Sequence, residues 1–170
     1  GTVILSSEEE GNMPYIKSAT IGRIQDLGVK DANNMGAAMA PAAYDTICNF
    51  LNDTDTSPQD YDGIFTGDLG AVGSKMLVEL FKRDGTDISK IHNDCGLMMF
   101  DRKRQDVHAG GSGCGCGASI LCSYILKRLY DGRLKNILFC ATGALLSPTS
   151  TMQGETIPTV AHLVNIRHYS

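Results

Sequence analysis

The stretch Asp106–Ser119, DVHAGGSGCGCGAS, decides the fold, because it places five glycines directly before an apolar, helix-patterned run, ILCSYILKRLYDG. Glycine loses more conformational entropy on folding than any other residue and is a poor helix former. A chain tolerates such a cluster where its backbone must approach another helix or a ligand closely. Free N–H groups at the start of a helix also attract anions. The stretch therefore predicts a closely packed central helix or a ligand site, and the two are compatible.

Familiar glycine-rich motifs do not fit this stretch. A dinucleotide fingerprint requires glycine where the chain has Cys116, and the charged run DRKRQD stands where a buried strand should precede it. No Gly-Lys-Ser/Thr follows, which excludes a P-loop, and GGSGC lacks the last glycine of a nucleophile elbow. Cys114 and Cys116 are closer in sequence than the cysteines of usual zinc motifs, so neither a metal nor another cofactor is expected.

The composition is typical of one globular domain. The chain has 170 residues, a net charge of −4 and a pI near 5.5, which argues against a nucleic-acid partner. Six cysteines lie mostly in apolar or glycine-rich runs without the spacing of a disulfide framework, which suits a reducing, intracellular compartment. The sequence has no segment of transmembrane length and no basic signal-peptide flank. Because it begins at Gly1 directly before an apolar run, we expect a piece of a longer protein.

Hydrophobic periodicity predicts strands on both sides of the glycine-rich stretch. The predicted strands are Thr2–Ser7, Tyr15–Asp26 (antiparallel to the first), Gly63–Thr66, a short edge strand within Ile88–Cys95, Asn136–Thr142 and Val160–Ile166. The segments Gly28–Asn34, Asn52–Asp60 and Gly143–Gly154 are predicted to be loops.

The same periodicity predicts three helices. The first begins near Met39, or earlier with a kink at Pro41. The second covers AVGSKMLVELFKRDG, and its predicted buried face comprises Val72, Met76, Leu77, Leu80 and Phe81. The third runs from about Gly113 to Tyr130. Strands alternating with helices predict an α/β sheet layered with helices.

This order of elements resembles the C-terminal half of the thiolase fold, and among its enzymes β-ketoacyl-acyl-carrier-protein synthase III. In that synthase a His-Gln-Ala-Asn motif ends one strand and opens a helix, and a Gly-Asn-x-Ser-Ala-Ser motif opens a later helix. Here DGIFTGDLGAVGSKMLVELF takes the first position and GCGCGASILCSYIL the second. The resemblance implies a mixed five-stranded sheet layered with helices. It assigns residues 1–26 to the closing strands of the N-terminal half and residues 27–170 to the C-terminal half.

Four blocks are also similar to the stage V sporulation protein AD family of spore-forming bacteria: MGAAMAPAAYDTI, DYDGIFTGDLG, NDCGLMMFD and DVHAGGSGCG. This resemblance covers nearly the whole chain. It implies a thiolase-fold protein of about twice this length that binds dipicolinic acid (pyridine-2,6-dicarboxylate), alone or with calcium, and assists its uptake into the developing spore. It further implies a peripheral location at the spore inner membrane. The implied protein partners are the N-terminal half, a second copy in a homodimer of the complete protein, and other proteins of the dipicolinate transport assembly.

Two positions depart from the synthases. Their catalytic His and Asn donate hydrogen bonds to a thioester oxyanion, and the corresponding positions here are Gly67 and Cys114. Glycine has no side-chain donor and a thiol is a weak one, while the loss of one oxyanion donor typically costs about a hundredfold or more in rate. The resemblance therefore implies a binding protein rather than an enzyme. A condensing acyltransferase with a drifted active site and a scaffold that keeps the fold only for association are the alternatives.

The candidate ligand-binding residues lie at strand ends and helix starts of this scheme: Thr66, Gly67, Asp68, His108, Ser112, Gly113, Cys114, Gly143 and Ala144. The N–H groups of the helices that follow GIFTGD and HAGGSG are expected to hold the two ligand carboxylates. Asp68 either caps the helix after it or, beside a dianion, requires a proton, a basic partner or a divalent cation.

Two architectural predictions complete the scheme. The helix over Ser112–Tyr130 is predicted to be the most buried helix, since its start is rich in small residues. The chain is predicted to expose apolar surface where the N-terminal half packs.

Overall fold

A computed structural model describes residues 13–110 and 113–169 of the chain. The elements follow in the order β1 (Tyr15–Thr20), α1 (Met35–Thr54), β2 (Gly63–Thr66), α2 (Gly70–Arg83), β3 (His92–Asp94), α3 (Cys95–Met99), α4 (Cys114–Ile120), α5 (Leu126–Tyr130), β4 (Asn136–Ala144), α6 (Pro148–Met152) and β5 (Thr159–Arg167). A π-helical turn, Leu121–Ile125, joins α4 to α5 without a break. We call this continuous element the 114–130 helix.

The strands form one mixed five-stranded sheet in the order β1-β5-β4-β2-β3, as predicted. Strands β3, β2 and β4 are parallel, and β5 is antiparallel to both β4 and β1. All four residues of β2 are buried, because both faces of this inner strand are covered by helices. The α/β fold class is therefore confirmed, and the architecture agrees with the expected half of a thiolase-like fold.

Strand β1 lies at one edge of this sheet and pairs only with β5 among the described strands. Its predicted partner, Thr2–Ser7, lies outside the described residues. The regular strand ends at Thr20 rather than Asp26, although Gln25 forms an isolated antiparallel bridge with Thr159. The division of the chain at residue 26 stays a prediction, but β1 belongs to the same sheet as the rest of the chain.

The sheet has a helical layer on each face, because successive side chains of a strand point in opposite directions. Helices α1 and α2 pack on one face, against a cluster that includes Ile64, Leu138 and Leu163. The 114–130 helix packs on the other, against Phe65 and Phe139. Two apolar cores thus lie on opposite sides of one sheet.

Helix α1, rather than the 114–130 helix, is the most buried helix. It begins at Met35 and includes Pro41, so the start near Met39 is wrong and the alternative of an earlier start is correct. Nine of its twenty residues are buried because it packs against β4, β5 and α2 together. The 114–130 helix packs against the sheet with one face only. Cys116 and Ile125 are buried on that face, whereas Ser119 and Ser123 are exposed.

Helix α2 buries a narrower face than predicted. Its buried residues are Gly70, Gly73, Leu77 and Phe81. They recur at three- and four-residue intervals and share one side of the helix. Val72 and Met76 precede Gly73 and Leu77 by one residue, which is about 100° around the helix. They are 45% and 37% exposed, so their predicted place in the core is wrong.

The predicted loop over Gly143–Gly154 contains the end of β4 and the short helix α6. Ser147 caps α6, since its hydroxyl accepts the Ser150 N–H at 3.2 Å. Apolar side chains are exposed on the described surface, as predicted: Ile21, Ile24, Leu145 and Met152 are each more than 70% exposed. What covers them stays a prediction. Across the described residues, no helix combines the length and the apolar character needed to cross a membrane.

Candidate functional site

Three adjoining cavities lie where the ends of β2 and β4 meet the start of the 114–130 helix. Asp68 and Gly113 line all three. The largest, of about 310 Å³, extends between α1 and α2 past Met35 and Val72. The second, of about 170 Å³, reaches Gly143 and Ala144 at the end of β4. The third, of about 230 Å³, lies beside the 114–130 helix and is lined by Gly67, Gly117 and Phe139 among others.

Five of the nine predicted ligand-binding residues therefore come together in space: Gly67, Asp68, Gly113, Gly143 and Ala144. They belong to three separate segments of the chain. Parallel strands place their carboxyl ends at the same edge of a sheet, which explains why residues after β2 meet residues at the end of β4.

Asp68 ties these segments to one another. Its carboxylate accepts the N–H of Gly113, and its own N–H donates to the Thr142 hydroxyl at 3.2 Å. The predicted cap on the helix that follows is wrong, since no side chain at the N-cap position of α2 bonds to the helix and Asp68 turns toward Gly113 instead. The amide of Gly113 is thus already engaged by a protein carboxylate.

The cap of α2 comes from Asp94, a residue that the sequence placed in a strand without a role. Asp94 is 1% exposed. Its carboxylate accepts the N–H groups of Leu69 at 2.7 Å and Gly70 at 2.9 Å, and also those of Gly96 at 3.1 Å and Leu97 at 3.3 Å at the start of α3. One buried carboxylate therefore caps two helices. The pattern Asn-Asp-Cys-Gly before a short apolar run is an N-cap signal that could have located it.

The first three amides at the start of α2 are engaged within the protein. Leu69 and Gly70 donate to Asp94, and the Ala71 N–H donates to the Ala109 carbonyl at 2.7 Å. These contacts argue against the expectation that this helix start binds one of two ligand carboxylates, because the protein's own acceptors occupy these three N–H groups.

Gly67 lies at a close contact between three elements. A Cβ atom placed on it would lie 3.1 Å from the Thr142 nitrogen, and a Cβ atom on Gly117 would lie 3.2 Å from the Gly67 Cα. The end of β2, the strand β4 and the 114–130 helix thus meet through two glycines. A histidine at this position would require β4 or the helix to move.

The start of the 114–130 helix has space around it. Within the described part of the chain, a Cβ atom on Gly113 or Gly115 would meet no atom within 4 Å apart from its chain neighbours and its own helix. Gly113 has φ +85°, a conformation that residues with side chains rarely adopt. These two glycines border open space, whereas Gly117 one turn later borders protein.

Four predicted site residues are not placed in these cavities. Thr66 is fully buried and its hydroxyl donates to Asp94 at 2.7 Å, with His92 Nε2 also 3.0 Å away. The side chain of His108 is 92% exposed, does not line the three cavities, and lies 3.9 Å from the Asp106 carboxylate. Ser112 lies outside the described residues. Cys114 begins α4, and its side chain also lies outside the described part of the structure.

Burial controls the ionisation of the groups near the site. It lowers the pKa of His92 to about 4 against a smaller opposing effect of the Asp94 charge, so the ring is neutral at pH 7. Burial also raises the pKa of the Cys95 and Cys140 thiols to about 12 and that of Cys48 to about 11. These thiols stay protonated at neutral pH and are weak nucleophiles in that form. Across residues 13–110 and 113–169, no three His, Cys, Asp or Glu side chains are grouped closely enough to hold a metal ion.

Comparison with known proteins gives two matches. The sequence profile of the family described as Stage V sporulation protein AD (SpoVAD) matches residues 1–167. Stage V sporulation protein AD of Bacillus subtilis (strain 168) is 48% identical over 162 residues, which cover 95% of this chain and 47% of that protein. The chain thus spans about half the length of this relative.

Proposed function

Because the chain belongs to the stage V sporulation protein AD family, we propose that it forms part of a non-catalytic sporulation protein that binds dipicolinic acid and assists its uptake into the developing spore. The observation that carries the proposal is the group of cavities around Asp68 and Gly113. They lie at the strand end and helix start where the resembled synthases hold a thioester. The largest of the three cavities, about 310 Å³, lies at the lower end of the range of about 300–1,000 Å³ for ligand pockets, which suits a ligand of one aromatic ring.

The charges around the cavities favour the calcium complex of dipicolinic acid as the bound form. No Lys or Arg is among the described residues that line the three cavities, and Asp68 contributes a carboxylate. A free dianion would be repelled by that carboxylate. Calcium prefers carboxylate and carbonyl oxygens, so a calcium ion that arrives with the ligand would turn Asp68 from a repelling group into a ligand.

The absence of catalysis is supported by the packing at Gly67. A Cβ atom on Gly67 would lie 3.1 Å from the Thr142 nitrogen, so a histidine there would need a small shift of its neighbours, and glycine itself offers no side-chain donor. The buried thiols of Cys95 and Cys140 are protonated at neutral pH and do not offer a nucleophile. We therefore favour a binding protein over a condensing acyltransferase. In this proposal the complete protein is a homodimer at the periphery of the spore inner membrane and acts with other proteins of the dipicolinate transport assembly.

Titration calorimetry on a protein that spans the full length of the family tests the proposal. Dipicolinate is titrated with and without calcium, and isophthalate, which lacks the ring nitrogen, and benzoate serve as comparison ligands. We expect dipicolinate to bind at least about tenfold more tightly than either, a difference of 1.4 kcal/mol, and calcium to tighten binding further. Asp68→Asn should remove the calcium effect.

The variant Gly113→Trp should fill the cavities and abolish binding. Gly28→Trp is the matched control, since Gly28 also has a positive φ and open space around its Cα but lies away from the cavities. Circular dichroism shows whether both variants fold. Equal affinity for dipicolinate and benzoate, or turnover of acyl thioesters at an enzyme's rate, would overturn the proposal.

A further inference from the structure

An exposed groove runs along α2 beside the turn at residues 101–105. It is lined by Ala71, Val72, Lys75, Met76, Glu79 and Arg102, and we call it the α2 groove. Val72 and Met76 are the two apolar side chains that periodicity assigned to the core and that the structure exposes. Exposed apolar side chains in a concave surface are typical of sites that bind another molecule.

Positive charge borders both sides of this groove. Lys75 projects from α2, and Arg102 projects from the neighbouring turn, where its Nε donates to the His108 carbonyl at 3.0 Å. Within the described residues neither cation forms an ion pair, and the one carboxylate of the groove, Glu79, lies 3.5 Å from Lys82. Lys103 and Arg104 are exposed in the same turn. The same turn also exposes Asp101 and Asp106. The surface around the apolar strip is therefore mixed in charge, with four cations and three carboxylates, on a chain of net charge −4.

The α2 groove and the candidate site share one lining residue. Val72 lines the groove and also the cavity of about 310 Å³ that contains Asp68 and Gly113. A molecule seated on Val72 in the groove would therefore lie beside that cavity.

We propose that the α2 groove docks an amphipathic helix of a partner protein, with its apolar side chains on Val72 and Met76 and its carboxylates beside Lys75 and Arg102. Apolar anchors in a groove are the usual way in which a helix is recognised, and complementary charge around them sets orientation and the association rate. A permanent interface with another half of the same fold would be depleted of charge at its centre. The inference does not depend on dipicolinate binding and is tested without it.

A selection experiment identifies the preferred occupant. A display library of helical peptides of about 18 residues, five turns of helix, is selected on the 170-residue chain. We expect enrichment of peptides with apolar residues at i, i+3/i+4 and i+7 flanked by Asp or Glu. Their affinity should fall with rising salt and at least about tenfold in the double variants Val72→Ser/Met76→Ser and Lys75→Glu/Arg102→Glu.

Controls of matching chemistry lie away from the groove. Met152→Ser removes another exposed apolar side chain, and Lys30→Glu reverses another exposed charge; neither should change the affinity. Selected peptides that keep their affinity for both groove variants would overturn the proposal. The proposal would also be overturned if vesicles of phosphatidylglycerol bound the chain through the same four side chains and no peptide bound there. A peptide that binds this chain but not the longer family protein would show that the rest of that protein occupies the groove, and would also overturn it.

Discussion

Two helices of this protein begin at glycine-rich turns on the same edge of the sheet, and the structure uses them differently. At the start of α2, the first amides donate to Asp94 and Ala109, and Gly70 and Gly73 lie against backbone atoms. At the start of the 114–130 helix, Gly113 donates to Asp68, while Gly113 and Gly115 border open space. Both helix starts adjoin cavities, but at α2 the first amides and the glycines are packed against protein, whereas at the 114–130 helix the glycines face space. A glycine-rich turn before a helix is therefore not by itself evidence of a ligand site.

The largest loss of stability should follow from removing the carboxylate that caps the start of α2. Asp94→Ala leaves the Leu69 and Gly70 amides and the Thr66 hydroxyl without their acceptor in a buried environment. Because each unsatisfied buried donor costs about 1–3 kcal/mol, we expect a loss of about 3–5 kcal/mol of unfolding free energy. Urea denaturation measures it.

Asp87→Ala is the control for this change. Asp87 also accepts a backbone N–H, from Ser89 at 2.9 Å, but it lies on the surface. Its removal should cost about 1 kcal/mol or less. Equal losses for the two variants would show that the buried carboxylate does not close the start of α2.

A second comparison adds one methyl group to each helix start. A Cβ atom on Gly73 would lie 2.4 Å from the Gly36 carbonyl oxygen on α1, so Gly73→Ala must push the two helices apart and should cost about 2–3 kcal/mol. Gly115→Ala meets no atom within 4 Å and should stabilise the helix by up to about 1 kcal/mol. Thermal and urea unfolding of the pair give the sign of each effect. A loss of stability in Gly115→Ala would contradict the open space assigned to that helix start.

The last prediction is a pH dependence of stability that arises at His92, beside the start of α2. His92 contacts Thr66 and lies 3.4 Å from the Ser74 hydroxyl on α2, and burial lowers its pKa from 6.5 to about 4. Below pH 6.5 the unfolded chain therefore binds a proton that the folded chain does not, and stability falls as the pH falls toward 4. The maximal slope is about 1.4 kcal/mol per pH unit, so about 2 kcal/mol should be lost between pH 6.5 and 5.

His92→Gln isolates this contribution, since glutamine keeps hydrogen-bonding groups but does not titrate. The variant should flatten the decline in stability between pH 6.5 and 5, measured by urea denaturation at each pH. Identical slopes in the two proteins would show that His92 is not held neutral by burial.

Much of the fold could be predicted from the sequence, because local patterns carry it. The buried run Gly63–Thr66 matches β2 residue for residue, and the apolar run after Asn136 locates β4. The 114–130 helix was recognised from its apolar spacing together with the glycine-rich turn before it. Hydrophobic runs, turn residues and helix spacing are properties of neighbouring residues, so they can be recognised without knowing the tertiary structure.

The site was predicted only in part. The carboxyl ends of parallel strands lie at the same edge of a sheet, so the segments that follow them come together. The residues that meet in this way are Gly67, Asp68, Gly113, Gly143 and Ala144. His108 was included because it stands beside the glycines in sequence, but a neighbour in sequence need not point the same way, and its side chain is exposed. Asp94 was missed because its partners Leu69 and Gly70 are more than twenty residues away.

The sequence by itself thus determined the α/β class, the order of the main elements and the family to which the chain belongs. Only the tertiary structure decided which helix is most buried, which glycines border space and which carboxylate caps which helix. Burial and hydrogen bonding of this kind depend on the distance between segments that are remote in the chain. Composition and periodicity cannot encode that distance, and this is why α1 proved more buried than the 114–130 helix and Val72 and Met76 proved exposed.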